Sequence, residues 1–553
     1  MENAKKKNIF SIFKEPKLIA TFIINFVLSF MVFIYEPTVL FTSNSEDFWF
    51  AFGMMLKINI LLFVIAFLFL SLFSIFIYYI GKKIGKKILF NIYLILLFSG
   101  LMILYVQGNY FSSKLPVLNG TPIDWNSFKI ESIISIVLVV LAIAISVILY
   151  KKKNDIYPKI VSAVSVVIFV LLLTGLIPTI IQNKNVLGNN VKCTSTLKNM
   201  NNLSTNKNFL ILMIDMVDSK TFDKVLKEEN KEDLFKDFTY YPDTLSAYSY
   251  TMESIPFLMS GNWYDPNDNY YDYYNESFDN SPLLKRLKDE DYDINIYEPD
   301  IQWSSKKCAE VNNMSTSSYK INLLKFAKQE IKYVIFKYFP YPLKRFSKIQ
   351  TMNFNLVRQN DFKANNSIVY EQLNDIKLQN KNYFQFYHTE GGHFPWDTDK
   401  NFNTIKDGTY EDKLKGSLRV VEKYIDRIKK SGQYDNSVII VMADHGTNTE
   451  DIYSDNGRQN PALYIKGINE HHDSMIVSDK KVSHVDFIDS IYNDLLDGKT
   501  SEELLKDIGT ERTRTHRWYK NFHYDKYYEQ TTDGHAWETD KLNFTGTVYE
   551  RKY

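Results

Sequence analysis

Residues 438–446 read Val-Ile-Ile-Val-Met-Ala-Asp-His-Gly. Five β-favouring apolar residues in a row suit a strand buried on both faces, and the run is too short for a helix. It ends on a carboxylate, an imidazole and a glycine. The glycine permits a tight turn, so that Asp444 and His445 can face one ion. The same plan recurs twice. Phe209–Ile214 (FLILMI) is followed by Asp215, and Tyr383–Tyr387 by His388, Thr389, Glu390, Gly391, Gly392 and His393. Ile294–Tyr297 and Ala462–Ile465 are further strand candidates, and amphipathic helical patterns occupy 321–337 and 411–430. Strands alternating with helices predict an α/β domain with a mainly parallel central sheet and helices on both faces. Ligands of such sheets sit beyond the carboxyl ends of the strands. Three of these strands end in metal-ligand residue types.

Upstream the composition changes. The 553 residues are 45% hydrophobic and 23% charged, which excludes a disordered or collagen-like chain. All nine histidines lie at or after position 388, whereas nearly every long apolar run lies before 182. Five runs are long enough to cross a bilayer: Leu18–Tyr35, Ile58–Ile80, Ile88–Gln107, Ile130–Tyr150 and Ile160–Ile181. The first does not read as a cleaved signal peptide, because four more follow and no small-residue cleavage site ends it. Lysines alternate between loops. Lys5, Lys6, Lys7 and Lys14 precede the first span, Gly81–Lys87 joins the second to the third, and Lys151–Lys153 follows the fourth. The intervening loops carry Glu36, Glu46, Asp47 and Asp124. This bias predicts a multi-pass cell-membrane protein with a cytoplasmic N-terminus and everything after Ile181 outside. The spans hold almost no ionisable residues, so they do not read as an ion path; they anchor the chain and serve lipid docking. The predicted plan is a transmembrane domain at 1–182, a polar linker at 183–207, a catalytic domain at 208–510 and a C-terminal extension at 511–553 packed on it.

A net charge of +1 gives no argument for a nucleic-acid partner. Two cysteines exclude a disulfide scaffold or a cysteine-quartet zinc site; Cys193 and Cys308 both fall outside, where a bridge can form. A nucleophile is offered by residues 248–261, Tyr-Ser-Tyr-Thr-Met-Glu-Ser-Ile-Pro-Phe-Leu-Met-Ser-Gly. Thr251 falls at a helix start, where backbone N–H groups favour an anion. A hydroxyl held on a metal there loses its proton near neutral pH and can attack phosphorus. Ser249 and Ser254 are its rivals and also fit helix caps, and Asp218 fits the cap of a helix beginning near Lys220.

Taken together, these residues resemble the alkaline phosphatase superfamily in its sulfatase-like branch. The plan of five spans and an outer domain is similar to lipoteichoic acid synthases and lipid A phosphoethanolamine transferases. The matching motifs are the strand ending in Asp215, Thr251 in T-x-x-S-x-P, H-T-x-G-x-H at 388–393, Asp444-His445-Gly446, and S-H-V-D at 483–486. The resemblance implies that Asp215, Thr251, Asp444 and His445 bind one Zn²⁺ or Mn²⁺, and that Thr251 forms a phospho-threonine intermediate. It implies that His393 holds a phosphoryl oxygen or protonates the leaving group, and that His484 contacts phosphate or a second metal. Sulfatases use a cysteine or serine within C/S-x-P-x-R; here the implied nucleophile is Thr251, and Ser254-Ile-Pro lacks the following arginine. Aspartate replaces the glutamate usual as first ligand in both transferase groups.

His388, Arg458 and Trp303, the last with Glu298 and Asp300, are candidate substrate contacts. His471, His472, His516, His523 and His535 read as structural or surface residues, and the tyrosines at 270–274 as surface. The predicted function is a membrane-anchored phosphotransferase moving a phospho-headgroup from a phospholipid donor to a surface glycan or teichoic-type polymer. The alternatives are a sulfatase-like hydrolase of phosphodiesters or sulfuric esters and a non-catalytic membrane assembly protein.

Overall fold

The computed structural model describes residues 15–550, apart from 46, 47, 49, 86, 87, 112–114, 117, 119–122, 189–192, 300–307, 309, 316–319, 350–352, 355, 356, 360, 449–456, 507, 509, 510 and 520–525. The chain divides into two compact units, one of residues 1–191 and 320–359, the other of 192–319 and 360–553.

The first unit holds five helices long and apolar enough to cross a membrane: α1 (Pro16–Ser43), α2 (Phe52–Lys83), α3 (Ile88–Tyr110), α4 (Trp125–Lys152) and α5 (Tyr157–Gln182). Helix α1 runs past Tyr35, where the apolar run ends. Pro37 lacks the N–H that a regular turn would use, and a π-helical turn over Met31–Tyr35 carries the chain into the helical segment Glu36–Ser43. Glu36 therefore lies within a helix rather than in a loop. It is buried, and its carboxylate accepts from Tyr333 Oη (3.1 Å) and Tyr338 Oη (2.6 Å) and pairs with Lys337 Nζ (3.2 Å). All three partners lie far along the chain, on a helix that packs with the spans and belongs to the first unit.

The second unit is built on a seven-stranded sheet. In chain order its strands are β1 (Asn208–Ile214), β2 (Thr239–Tyr240), β3 (Asp293–Tyr297), β4 (Tyr383–Thr389), β5 (Ser437–Met442), β6 (Leu463–Lys466) and β7 (Ile476–Val477). In space they run β7-β2-β6-β5-β1-β4-β3. Strands β3, β4, β1 and β5 are mutually parallel, and the antiparallel pairs are β5 with β6 and β6 with β2. Alternation along β1 feeds two cores. Phe209, Ile211 and Met213 join Ile255, Leu258, Leu283 and Leu287 on one face, while Leu210, Leu212 and Ile214 join Phe222, Val225, Leu414, Val421 and Ile425 on the other. The helices on these faces include α6 (Ser219–Glu228), α7 (Thr251–Ser260) and, after α8 (Leu323–Tyr338) in the chain, α9 (Tyr410–Lys430). Asp218 caps α6, accepting from Thr221 N at 2.8 Å.

Polar residues just after the spans are structured. Thr194–Ser195 pairs with Met314–Ser315, and Asn202–Ser204 with Lys377–Gln379. Cys193 and Cys308 form a disulfide within this unit. The chain ends in a separate antiparallel sheet of β8 (Arg514–Tyr519), β9 (Lys526–Thr532) and β10 (Asn543–Glu550). The tyrosines at 270–274 are not all surface: Tyr273 and Tyr274 are buried, because their helix packs against α7.

Candidate metal centre

Strands β4, β1 and β5 lie side by side, with His388, Met213 and Met442 level across them. Two residues beyond that level come Asp215 and Asp444, with His445 one further on, and the same sheet edge brings the three together. One ligand atom from each of these three lies within 4.8 Å of the others. Thr251 opens helix α7 and completes the group. Its Oγ1 is 3.2 Å from Asp215 Oδ1 and 3.4 Å from His445 Nε2. Tyr250 stands at the cap position without a side-chain cap bond, so neither rival serine caps this helix. Ser249 Oγ is held by His516, and Ser254 Oγ donates to Tyr248 O.

The turn after β1 is tightly specified. Met216 takes a left-handed φ of 57°, and Gly391 (φ 54°) lies against it; a Cβ on Gly391 would stand 2.3 Å from Asp215 O. Gly446 has a different role from the turn predicted. Its φ is not in the left-handed region, but a Cβ there would come within 3.0 Å of Asn460 O, and its N–H donates to Arg458 O at 2.7 Å. What it permits is close approach of the 458–460 backbone.

Hydrogen bonds orient the ligand atoms. Asp444 Oδ1 accepts from the backbone N–H of Met216 (3.1 Å) and His445 (2.9 Å), while Oδ2 is buried with no hydrogen-bond partner. His445 Nδ1 bonds Gly446 O at 2.7 Å, so Nδ1 carries the proton and the Nε2 lone pair faces Thr251 and Asp215. Burial and the neighbouring Asp215 push the Asp444 carboxyl up. Burial pushes Asp215 the same way, but the imidazoles of His393, His388 and His445 outweigh it and hold that carboxyl below the usual range. Two crowded carboxylates, an orphaned buried oxygen and an imidazole lone pair converging on one point are the donor set of a divalent cation, and the residues present fit one.

The other predicted contacts divide. His388 is buried on β4, with Nδ1 2.9 Å from Glu298 Oε2 and Nε2 3.6 Å from Asp215 Oδ2. It stands between Glu298 and Asp215, a brace on that carboxylate. His393 is half-buried, its Nδ1 bonded to Phe394 O at 2.7 Å. Arg458 is buried with its guanidinium 4.9 Å from the ring centroid of Tyr250, the residue before Thr251. His484 is fully buried with both ring nitrogens unpartnered; burial, with His516 and His445 facing it, pulls its pKa down to about 3. Trp303 lies outside the described residues.

The C-terminal sheet, whose residues showed no motif, fixes the segment 246–253 around Thr251. Arg517 N donates to Ala247 O (2.7 Å) and Ser249 N to Arg517 O (3.3 Å). His516 Nδ1 bonds Ser246 O (2.7 Å), which leaves its Nε2 to accept from the Ser249 hydroxyl (2.9 Å). Glu253, in the first turn of α7, is buried and accepts from Tyr519 Oη (2.7 Å) and Tyr527 Oη (2.8 Å); burial pushes its carboxyl up to about 7. The sequence separation of these contacts, 266 to 274 residues for the serine and glutamate side chains, hid them from any local pattern.

No family of known proteins matches the sequence, and no curated protein is similar to it. Solved structures are. The protein Ps i-CgsB overlaps 60% of this chain and 83% of its own at 14% identity, with a TM-score of 0.40. An alkaline phosphatase superfamily protein from Vibrio parahaemolyticus overlaps 66% of this chain and 85% of its own at 12% identity and a TM-score of 0.33. The C-terminal periplasmic domain of EcEptC from Escherichia coli overlaps 58% and 94% at 12% identity and 0.32. Overlaps this loose leave the reading of the site to its own geometry.

Proposed function

We propose that the protein is a membrane-anchored, metal-dependent phosphotransferase that works through Thr251. The observation that carries the reading is the Thr251 hydroxyl, seated at a helix N-terminus between Asp215 and His445, beside an Asp444 oxygen with no other partner. Asp215, Thr251, Asp444 and His445 would hold one Zn²⁺ or Mn²⁺. When bound, such a cation supplies positive charge that lowers the pKa of a hydroxyl and polarises a phosphoryl oxygen.

The chain's own groups account for the rest. Thr251 Oγ1 attacks phosphorus of a phospholipid headgroup: an Oγ1–P bond forms and the P–O bond to the diacylglycerol breaks. The nearest carboxylate for the Thr251 proton is Asp215, which already accepts it at Oδ1. His393 returns a proton to the diacylglycerol oxygen. Free backbone N–H groups in the first turn of α7 face the phosphoryl oxygens. A hydroxyl of a surface glycan or teichoic-type polymer then attacks the phospho-threonine: its O–P bond forms as the Oγ1–P bond breaks, its proton passes to His393, and the proton held by Asp215 returns to Thr251 Oγ1. His484, with two unpartnered nitrogens, and Arg458 are the candidates for holding phosphate or a second metal. A hydrolase would differ only in that water resolves the intermediate.

The lysine-rich loops at 5–14, 81–87 and 151–153 support an inside N-terminus, and the disulfide within the second unit supports placing that unit outside. The test is to incubate the full chain, loaded with Zn²⁺ or Mn²⁺, with headgroup-labelled phosphatidylglycerol and phosphatidylethanolamine. Label trapped on Thr251, absent from Thr251→Ala, and turnover that requires a polyol acceptor are expected. Headgroup release at the same rate without acceptor would establish the hydrolase instead.

A further inference from the structure

Helix α8 and the turn after it, residues 323–349, lie within the sequence of the outer domain but pack with the spans. One stripe of the helix (Phe326, Glu330, Tyr333, Phe336 and Tyr338) is buried. Its partners share one end of the bundle. Tyr338 meets Glu36 late in α1, and its ring fills the space that a Cβ on Gly108, late in α3, would need. Phe326 meets Phe50 just before α2, and Phe336 meets Trp125 at the start of α4. Successive spans alternate in direction, so the ends of α1 and α3 and the starts of α2 and α4 are the same face of the bundle, opposite the lysine-rich loops. Glu36 lies 20 positions after Pro16, about 30 Å of helix, which is the depth of a hydrocarbon core. The segment thus sits at headgroup level.

Its opposite stripe is amphipathic in an unusual sense, since it mixes apolar residues with cations. Leu324 is 82% exposed, Ile331 55% and Phe346 67%. Between and beside them Lys325, Lys328, Arg345 and Lys348 are exposed. From 323 to 348 there are seven lysines and arginines against Glu330 alone. Two of the seven are spent inside, Lys337 on Glu36 and buried Lys344 on the carbonyls of Phe336 (2.6 Å) and Lys337 (2.8 Å). A free apolar face in water is costly, and a basic one is matched by an anionic surface.

We infer that residues 323–348 form an interfacial helix and turn that lay Leu324, Ile331, Leu343 and Phe346 into the outer leaflet and gather anionic phospholipid headgroups around Lys325, Lys328, Arg345 and Lys348. The occupant of this face is lipid, and the inference stands independently of the reaction assigned to Thr251. Each exposed lysine contributes on the order of a fivefold preference for an anionic surface.

The test uses the full chain in nanodiscs. Both native cysteines are bonded to each other, so an introduced cysteine is the one reactive thiol. Fluorophores go on Ile331→Cys, Phe346→Cys and, as a reference in the second unit, Lys227→Cys. Quenching is compared between headgroup-proximal nitroxides carried on phosphatidylglycerol and on phosphatidylcholine at equal mole fraction. Strong quenching at 331 and 346 but not at 227 is expected, several-fold greater from the anionic carrier. The triple substitution Lys325→Gln, Lys328→Gln, Lys348→Gln should bring the two carriers level while leaving the phosphatidylcholine signal in place. Quenching at 331 no greater than at 227 would overturn the membrane contact, and equal quenching by both carriers in the unsubstituted chain would overturn the anionic preference. Energy transfer between labels on two copies, with no lipid quenching, would place a second protein on this face and overturn the inference.

Discussion

Two buried carboxylate clusters, one in each unit, are built from similar parts and left in opposite states. Around Glu36 every demand is met: two tyrosine hydroxyls and a lysine ammonium meet its oxygens. Around Asp215 and Asp444 two acids crowd each other, and Asp444 Oδ2 has no donor at all. The same contrast divides two buried histidines. His516 has both ring nitrogens engaged, while His484 has neither. A satisfied buried polar group fixes a structure, whereas an unsatisfied one costs stability and persists where a ligand repays it. Burial alone therefore does not separate these two clusters or these two histidines, but the partners of their buried atoms do.

The sharpest way to break this contrast is catalytic. Thr251→Ala and Asp444→Asn should each lower turnover by on the order of 10⁴-fold or more, measured as headgroup transfer in the metal-loaded chain. The Asp444 variant should also lose metal in elemental analysis. Glu36→Ala, by contrast, should leave the metal content unchanged and lower unfolding stability by about 3–5 kcal/mol, read by thermal unfolding in detergent, because it strands Lys337. If instead it strips metal and leaves stability intact, the distinction between the clusters is lost.

The histidine pair gives an effect with a definite pH sign. Burial depresses the His516 pKa to about 4, below its ordinary 6.5, so its neutral form is the folded one. Its contribution is fully present above pH 6.5 and is lost as pH falls toward 4, about 3 kcal/mol in all. His516→Gln should flatten the acid limb of the stability profile over that window. His484→Leu removes two unpartnered nitrogens and should leave stability equal or higher at pH 7 while reducing turnover. A smaller effect tests the brace behind Asp215: Glu298→Gln should weaken metal affinity about 10–100-fold through His388, measured by competition with a chelator. Smallest of all, Asp444→Asn in chelated protein should raise stability by about 1 kcal/mol through relief of like-charge crowding.

Much of the second unit was legible because its signals are local. A buried strand is a contiguous apolar run, and the residue after it marks one edge of the sheet; the meeting of Asp215, Asp444 and His445 at that edge was readable on that basis, and the place of Thr251 at a helix start from its local sequence. What was hidden is hidden for physical reasons. Helix α8 shows the same 3.6-residue period whether its apolar stripe meets a sheet or a span, so its partner is not encoded in its pattern. The far end of α1 was obscured because Glu36 and Pro37 look like a loop until a π turn and three distant donors accommodate them. The bonds from His516 to Ser249 and from Tyr519 and Tyr527 to Glu253 join residues with no periodic relation.

The covalent path between the two units is a triple crossing rather than a single stalk. The chain passes from one to the other at 191–192, goes back at 319–320 and returns at 359–360. Single-stalk ectoenzymes can be shed by one proteolytic nick; here one nick at any of these junctions still leaves peptide connections to the membrane helices. Intact release of the second unit demands three cuts, so a single proteolytic event cannot shed it.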